Sequence, residues 1–268
     1  MNAQSLTRNA SQWLDPCFAQ WARTPRRALL LDYDGTLAPF RVERNEAAPY
    51  PGVRERLQRI LDADHTRLVF ITGRRVKNLM PLLELKPVPE IWGAHGWERR
   101  RVDGRIEVQP MEPPDEAALA RLAGRLAQLG HQARAERKPG SLTLHLRGLS
   151  LEDAAQLRDQ VLAEAPDLIA GSALQIRDFH GGVEFYLAGQ HKGSAVATVL
   201  GEMGPDCAAV FLGDDATDED AFRVIKERGG IGILVAREPR ASLARHCLRP
   251  PEELLEFLDR WANLRGAA

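Results

Sequence analysis

Two acidic segments far apart in the chain constrain its fold most: Leu31-Asp32-Tyr33-Asp34-Gly35-Thr36-Leu37 and Gly213-Asp214-Asp215-Ala216-Thr217-Asp218. Each follows an apolar run, over 28–31 and 208–212. A strand buried on both faces is continuously apolar instead of alternating, so both runs read as inner strands of a parallel sheet. Carboxylates that follow such strands gather at the carboxyl edge of one sheet, where open α/β folds bind their ligands.

The surrounding pattern extends that sheet. Strands over 68–71 and 90–93 alternate with helices over 51–62 and 74–84, as parallel sheets require. The middle of the chain differs. A hairpin over 99–108 turns at Asp103-Gly104. It is followed by a helix over 116–129, strands over 132–136 and 142–147, a helix over 151–164 capped by Ser150, and strands over 174–178 and 183–187. Helix–strand–strand occurring twice is a small α+β layer. Alternation then resumes with a helix over 192–203, the strand over 208–212, a helix over 218–228 and a strand over 231–235. Two helices, over 240–247 and 251–264, close the chain. The expectation is an α/β core over 1–108 and 189–268, interrupted by an inserted α+β domain over 109–188.

At 268 residues the chain is long enough for two domains. Its 36 Lys and Arg balance 37 Asp and Glu, which argues against nucleic acid or an anionic membrane as partner. Three unclustered cysteines form no disulfide framework or zinc site, which favours a reducing compartment. The first 27 residues hold no continuous apolar stretch, and no run approaches the roughly 20 residues of a membrane span. A soluble, cytoplasmic monomer is expected. Trp13, Trp21 and Trp261 read as packing for terminal helices, and His131 and His180 as loop residues.

Asp32 and Asp34 lie two apart on an extended segment, so both carboxylates point the same way. One can attack a phosphoryl group covalently, and the other can protonate the departing alcohol and later deprotonate water. Gly35 lets the backbone turn sharply after them. Asp214, Asp215 and Asp218 offer hard oxygen ligands suited to magnesium. Asp218 or Thr217 can equally cap the helix that follows. Thr72-Gly73-Arg74 follows the 68–71 strand, with a hydroxyl and a backbone N–H at a helix start to cradle phosphate. Lys192 supplies positive charge for a transferring phosphoryl group.

The order Asp-x-Asp-Gly-Thr, Thr-Gly, Lys, Gly-Asp-Asp-x-x-Asp resembles the haloacid dehalogenase superfamily of phosphotransferases. Within it, Gly93-Ala94-His95-Gly96-Trp97-Glu98, Glu136-Arg137-Lys138, His145-Leu146-Arg147 and the segment from Phe211 to Phe222 resemble the trehalose-6-phosphate phosphatases. The resemblance implies a Rossmann-like parallel-sheet hydrolase core with a cap domain, and a phosphatase acting on trehalose 6-phosphate with Mg2+ as cofactor. It makes Asp32 the nucleophile that forms a phosphoaspartate and Asp34 the acid/base. Thr72 and Lys192 would hold the phosphate, with Gly73, Arg74 and His95 beside it. The ion would sit on Asp32, the backbone carbonyl of Asp34, and Asp214, supported by Asp218 or Asp215. Glu136, Lys138 and Glu184 would grip sugar hydroxyls, joined in the cap by His145 and Arg147. Another sugar phosphatase, a phosphomutase or a silent sugar-phosphate sensor on the same core are the alternatives.

Overall fold

The computed structural model describes residues 10–41, 43–179 and 181–264, so His180 lies outside the described residues. The chain divides into two compact units, one of Met1–Glu107 with His191–Ala268 and one of Val108–Gln190.

The first unit is built on an eight-stranded sheet: β1 (Arg26–Leu31), β2 (Arg67–Ile71), β3 (Glu90–Gly93), β4 (Glu98–Arg100), β5 (Ile106–Val108), β10 (Cys207–Gly213), β11 (Ile231–Val235) and β12 (His246–Leu248). The spatial order is β12-β11-β10-β1-β2-β3-β4-β5. Pairing is parallel from β12 to β3 and antiparallel between β3 and β4. Leu29 and Leu31 belong to the apolar cluster on one face of the sheet, Ala28 and Leu30 to that on the other. This two-sided burial is why the strand carries no polar alternation. On the first face lie α1 (Ala10–Trp21), α2 (Val53–Asp62), α3 (Val76–Leu83) and α8 (Glu252–Ala262), and the Trp21 and Trp261 rings meet there at 5.1 Å. On the second lie α6 (Lys192–Met203) and α7 (Glu219–Glu227).

Three expectations for this unit are corrected. No helix forms over 240–247; that stretch holds the short strand β12, whose Val235↔Leu248 pairing widens the sheet. The Arg240 side chain is drawn instead to the carbonyls of Asp214 and Asp215, and Ser242 and Leu243 to Glu219. Pro51 precedes α2 rather than opening it, because Gly52 takes the N-cap in a left-handed conformation (φ 89°). The third helix begins at Val76, not at residue 74, because Glu98 Oε2 accepts from the Val76 N–H at 2.8 Å. The Thr72-Gly73-Arg74 segment is therefore a loop ahead of the helix.

The second unit carries a four-stranded antiparallel sheet in the order β6-β7-β9-β8, from β6 (Ala135–Lys138), β7 (Ser141–His145), β8 (Leu174–Phe179) and β9 (Gly182–Leu187). Leu142, Leu144, Val183 and Phe185 share one face of that sheet, and all four are fully buried. The unit's helices, α4 (Pro113–Gln128) and α5 (Leu151–Leu168), bury Ala118, Leu119, Leu122 and Leu126, and Leu157, Val161 and Ala165. Ser150 caps α5, its hydroxyl accepting from the Asp153 N–H at 3.1 Å. Among the described residues no helix is long and apolar enough to cross a membrane.

Candidate active site

In-register pairing of Leu31 with Leu212 places the two acidic segments side by side at the carboxyl edge of β1 and β10. The Asp32 N–H donates to the Leu212 carbonyl at 2.9 Å, so the pairing runs on through the first carboxylate residue. Asp32, Asp214 and Asp218 each offer a carboxylate oxygen within 4.8 Å of the others. Lys192, the first residue of α6, reaches into this cluster and bonds Asp32 Oδ1 and Asp218 Oδ1 at 2.8 Å each. Gly35, at φ 83°, passes so close that a Cβ there would lie 2.0 Å from Asp214 Oδ2. Thr36 donates its hydroxyl to Asp214 Oδ1 at 3.2 Å.

Three carboxylates face a single ammonium, with Asp32, Asp218 and Lys192 buried and Asp214 half-buried, and the protonation behaviour follows from that. Burial pushes the Asp32 carboxyl well above its usual range; Lys192 opposes the shift while Asp218 and Asp214 add to it. Burial and the neighbouring Asp218 and Asp215 raise Asp214 to about 7 against the pull of Lys192. Asp218 is raised by burial, with Lys192 opposing. Burial alone would drive Lys192 towards neutrality, but Asp218 and Asp32 outweigh it and hold the ammonium charged. The donor set fits a divalent hard cation: all ligand atoms are oxygen, and the cluster carries negative charge that one lysine does not balance.

The remaining acidic residues take other roles. Asp218 Oδ2 accepts from the N–H groups of Asp214 and Asp215 at 2.9 and 3.1 Å, so it shapes the loop as well as holding Lys192. The Asp215 side chain is not brought into the three-carboxylate cluster. It caps the turn instead, accepting from Thr217 N–H at 2.7 Å and the Thr217 hydroxyl at 2.6 Å. Arg240 was not foreseen as a site residue: its guanidinium donates to the carbonyls of Asp214 (3.1 Å) and Asp215 (2.6 Å) and to Glu219 (2.6 Å). No local pattern marks it, because its partners lie 21 to 26 residues away along the chain.

Thr72 and Gly73 stand at the carboxyl end of β2, next to β1 in the sheet. Thr72 Oγ1 accepts from the Arg74 N–H at 3.1 Å, which leaves its hydroxyl proton to donate elsewhere. The loop is clamped by the turn after β3. His95 N–H donates to the Thr72 carbonyl and Ala94 N–H to the Arg74 carbonyl, at 2.9 and 2.7 Å. Ala94 and His95 both take left-handed backbone angles (φ 48° and 57°), a conformation costing about 1–2 kcal/mol per non-glycine residue. The strain brings the His95 ring onto Gly73, where a Cβ would lie 2.6 Å from Nε2. Glu98, read only as part of a signature, pins the arrangement by pairing with Arg75 at 2.6 Å and capping α3. Arg74, expected beside the phosphate, turns onto Asp34: Nε meets Oδ2 and Nη2 meets Oδ1, both at 2.6 Å.

In the second unit four of the expected residues, Glu136, Lys138, His145 and Glu184, fall on one sheet face. Glu136, Thr143, Glu184 and Arg177 form one cross-strand row; Lys138, Ser141, Tyr186 and Gln175 form the next. Glu136 pairs with Lys138 at 3.6 Å and with His145 Nε2 at 2.9 Å, and Glu184 with Arg177 at 2.5 Å. Arg147 lies past the end of β7, is exposed, and is not part of either row.

The sequence model of the trehalose-phosphatase family matches residues 30–246. A trehalose 6-phosphate phosphatase of Zea mays is 28% identical over 273 residues, covering 92% of this chain and 72% of its own length. The probable trehalose-phosphate phosphatase H of Arabidopsis thaliana is 27% identical, covering 90% of this chain and 74% of its own. Among solved structures, the C-terminal domain of the C. albicans trehalose-6-phosphate phosphatase superposes with a TM-score of 0.76 at 20% identity, over 98% of this chain and 99% of that one, which speaks for the fold. The family match runs from β1 through the acidic loop to β12 and takes in every element that builds the site. This chain belongs to the trehalose-phosphatase family.

Proposed function

We propose that the chain is a magnesium-dependent phosphatase that hydrolyses trehalose 6-phosphate to trehalose and phosphate. One observation carries the reading: a buried Asp32 held 2.8 Å from Lys192 within a three-carboxylate cluster, beside a second aspartate and a hydroxyl-bearing loop. The substrate follows from the family and from what its named relatives act on.

Asp32 attacks phosphorus while the bond to the sugar 6-oxygen breaks, and Asp34 gives its proton to that oxygen. Water then attacks the phosphoaspartate, Asp34 takes the proton, and phosphate leaves with Asp32 restored. Lys192 keeps Asp32 in place and opposes its protonation, and Thr72 and Gly73 donate to phosphoryl oxygens. The carboxylates of Asp32 and Asp214 and the Asp34 carbonyl would hold magnesium, with Asp218 fixing the loop. Magnesium would supply the charge that offsets repulsion between a carboxylate nucleophile and a phosphate. Sugar selection falls to the polar face of the cap sheet, where Glu136, Lys138 and Glu184 offer charged partners for hydroxyls. His145 acts there by orienting Glu136.

The test is phosphate release, with magnesium, from trehalose 6-phosphate beside glucose 6-phosphate, sucrose 6-phosphate and an aryl phosphate, with Asp32→Asn as blank. Strong preference for trehalose 6-phosphate and an inactive Asp32→Asn are expected. Preference for another sugar phosphate rejects the substrate; turnover by Asp32→Asn rejects the mechanism.

A further inference from the structure

Asp34 follows β1 on a loop, with its carboxylate partly open to solvent (23% exposed). Both of its oxygens are nevertheless gripped by one guanidinium, through two parallel N–H···O bonds of 2.6 Å. That guanidinium is itself fixed from several sides. Arg74 is 2% exposed, and its Cζ lies 5.5 Å from the centre of the Tyr33 ring. Tyr33 is fully buried and anchored by its hydroxyl to the Ala47 carbonyl at 2.6 Å. The Arg74 backbone is held at both ends, its N–H by Thr72 Oγ1 and its carbonyl by Ala94 N–H. A rigid fork thus sets the plane of the Asp34 side chain.

We infer that Arg74 is a positioning residue for proton transfer, holding the Asp34 carboxyl in the orientation that delivers a proton to the leaving oxygen, and is not a ligand of the substrate. The inference rests on the phosphatase reading and deepens it. A carboxylate oxygen has two lone-pair sites, so the fork occupies one on each oxygen and leaves the other for the transferred proton. Proton transfer needs the carboxyl within about 3 Å of the leaving oxygen, and a misplacement of about 1 Å costs on the order of 10²-fold in rate. Lysine, with a single point charge on a flexible stem, cannot reproduce the fork.

The leaving group separates this role from phosphate binding or simple structural support. An alkoxide such as the sugar 6-oxygen needs a proton to depart, whereas p-nitrophenolate does not. The value of kcat/KM covers binding up to that first departure. We therefore compare kcat/KM for trehalose 6-phosphate and p-nitrophenyl phosphate in wild type, Arg74→Lys, Arg74→Gln, Asp34→Asn and the Asp34→Asn/Arg74→Lys double variant. The expected result is a fall of about 10²-fold on the sugar phosphate in Arg74→Lys, carried by kcat with KM little changed, and near-normal values on the aryl ester. In the Asp34→Asn background, Arg74→Lys should cost nothing further. Equal losses on both esters overturn the inference, as does a loss carried by KM, additivity in the double variant, or collapse of aryl activity in both Arg74 variants. A wild-type chain inactive on both esters defeats the phosphatase reading itself; an active wild type with any of the preceding results defeats the inference alone.

Discussion

Replacing Lys192 by methionine removes the one ammonium in a cluster of three acids while keeping an unbranched side chain one atom shorter. Lys192 makes two ion pairs of 2.8 Å, to Asp32 and Asp218, and these three residues are 3%, 4% and 0% exposed. Taking one partner from a buried pair leaves an uncompensated charge and destabilises by about 3–5 kcal/mol. For a chain of this size that corresponds to a melting point lower by roughly 6–20 °C. All five tryptophans, at 13, 21, 92, 97 and 261, lie in the unit that carries the site, so tryptophan fluorescence follows that unit alone. Melting Lys192→Met and wild type in chelator should show the loss. Magnesium should then restore part of it, since saturation at about 100 times the dissociation constant stabilises by about 2.7 kcal/mol. A variant that melts with wild type in chelator refutes the reasoning, because the three acids would then not depend on the lysine.

Three further outcomes follow from the same geometry. Gly35→Ala should lower stability by at least about 1–2 kcal/mol for its left-handed backbone and push Asp214 away, raising the magnesium needed for half-maximal activity; an unchanged requirement would contradict the close packing. Arg240→Gln should weaken magnesium affinity by about 10-fold or more through loosened carbonyls of Asp214 and Asp215, read as a higher midpoint in a magnesium titration of phosphate release; an unchanged midpoint would show that the clamp does not act on the loop. His246 is 6% exposed, stacked 3.9 Å from Trp13, and lowered to about 4, mainly by burial with Arg245 adding to the shift. Its neutral form is favoured only in the folded state, so the stability it brings is complete above pH 6.5 and is lost as pH falls towards 4, by about 3 kcal/mol. His246→Phe should flatten that slope in melts between pH 7 and 4, and a slope unchanged by the substitution would remove His246 as its source.

Sequence alone marked the candidate site where its chemistry leaves a short-range trace. Asp32, Thr72, Lys192 and Asp214 each stand at the end of an apolar run or at the start of a helix, and the sheet then brings those ends together without further instruction. Distances along the chain could not tell which acids converge. Asp214, Asp215 and Asp218 are equivalent as a string, and only the turn they form sends Asp215 to Thr217 and Asp218 to Lys192. The strand at His246–Leu248 escaped for a related reason. Its three residues carry no period of their own, and Leu243, Ala244 and Cys247 fit a helical spacing.

What defeats the helix there is also what completes the site. Arg240 is held by carbonyls of the acidic loop and by Glu219, and Glu219 further accepts from Ser242 and the Leu243 N–H. A chain drawn taut across the loop by these bonds cannot close helical turns, and it runs on to pair beside β11 instead. Arg74 teaches the same lesson on the other flank. Its position after Thr-Gly suggests a phosphate ligand, yet a buried guanidinium goes to the nearest carboxylate that fits its fork, and that carboxylate is Asp34. Both arginines thus act on the acids rather than on a substrate: one fixes the loop that bears Asp214, the other the plane of Asp34. Such roles depend on which charges folding brings within 3 Å, and that is the information a linear motif does not carry.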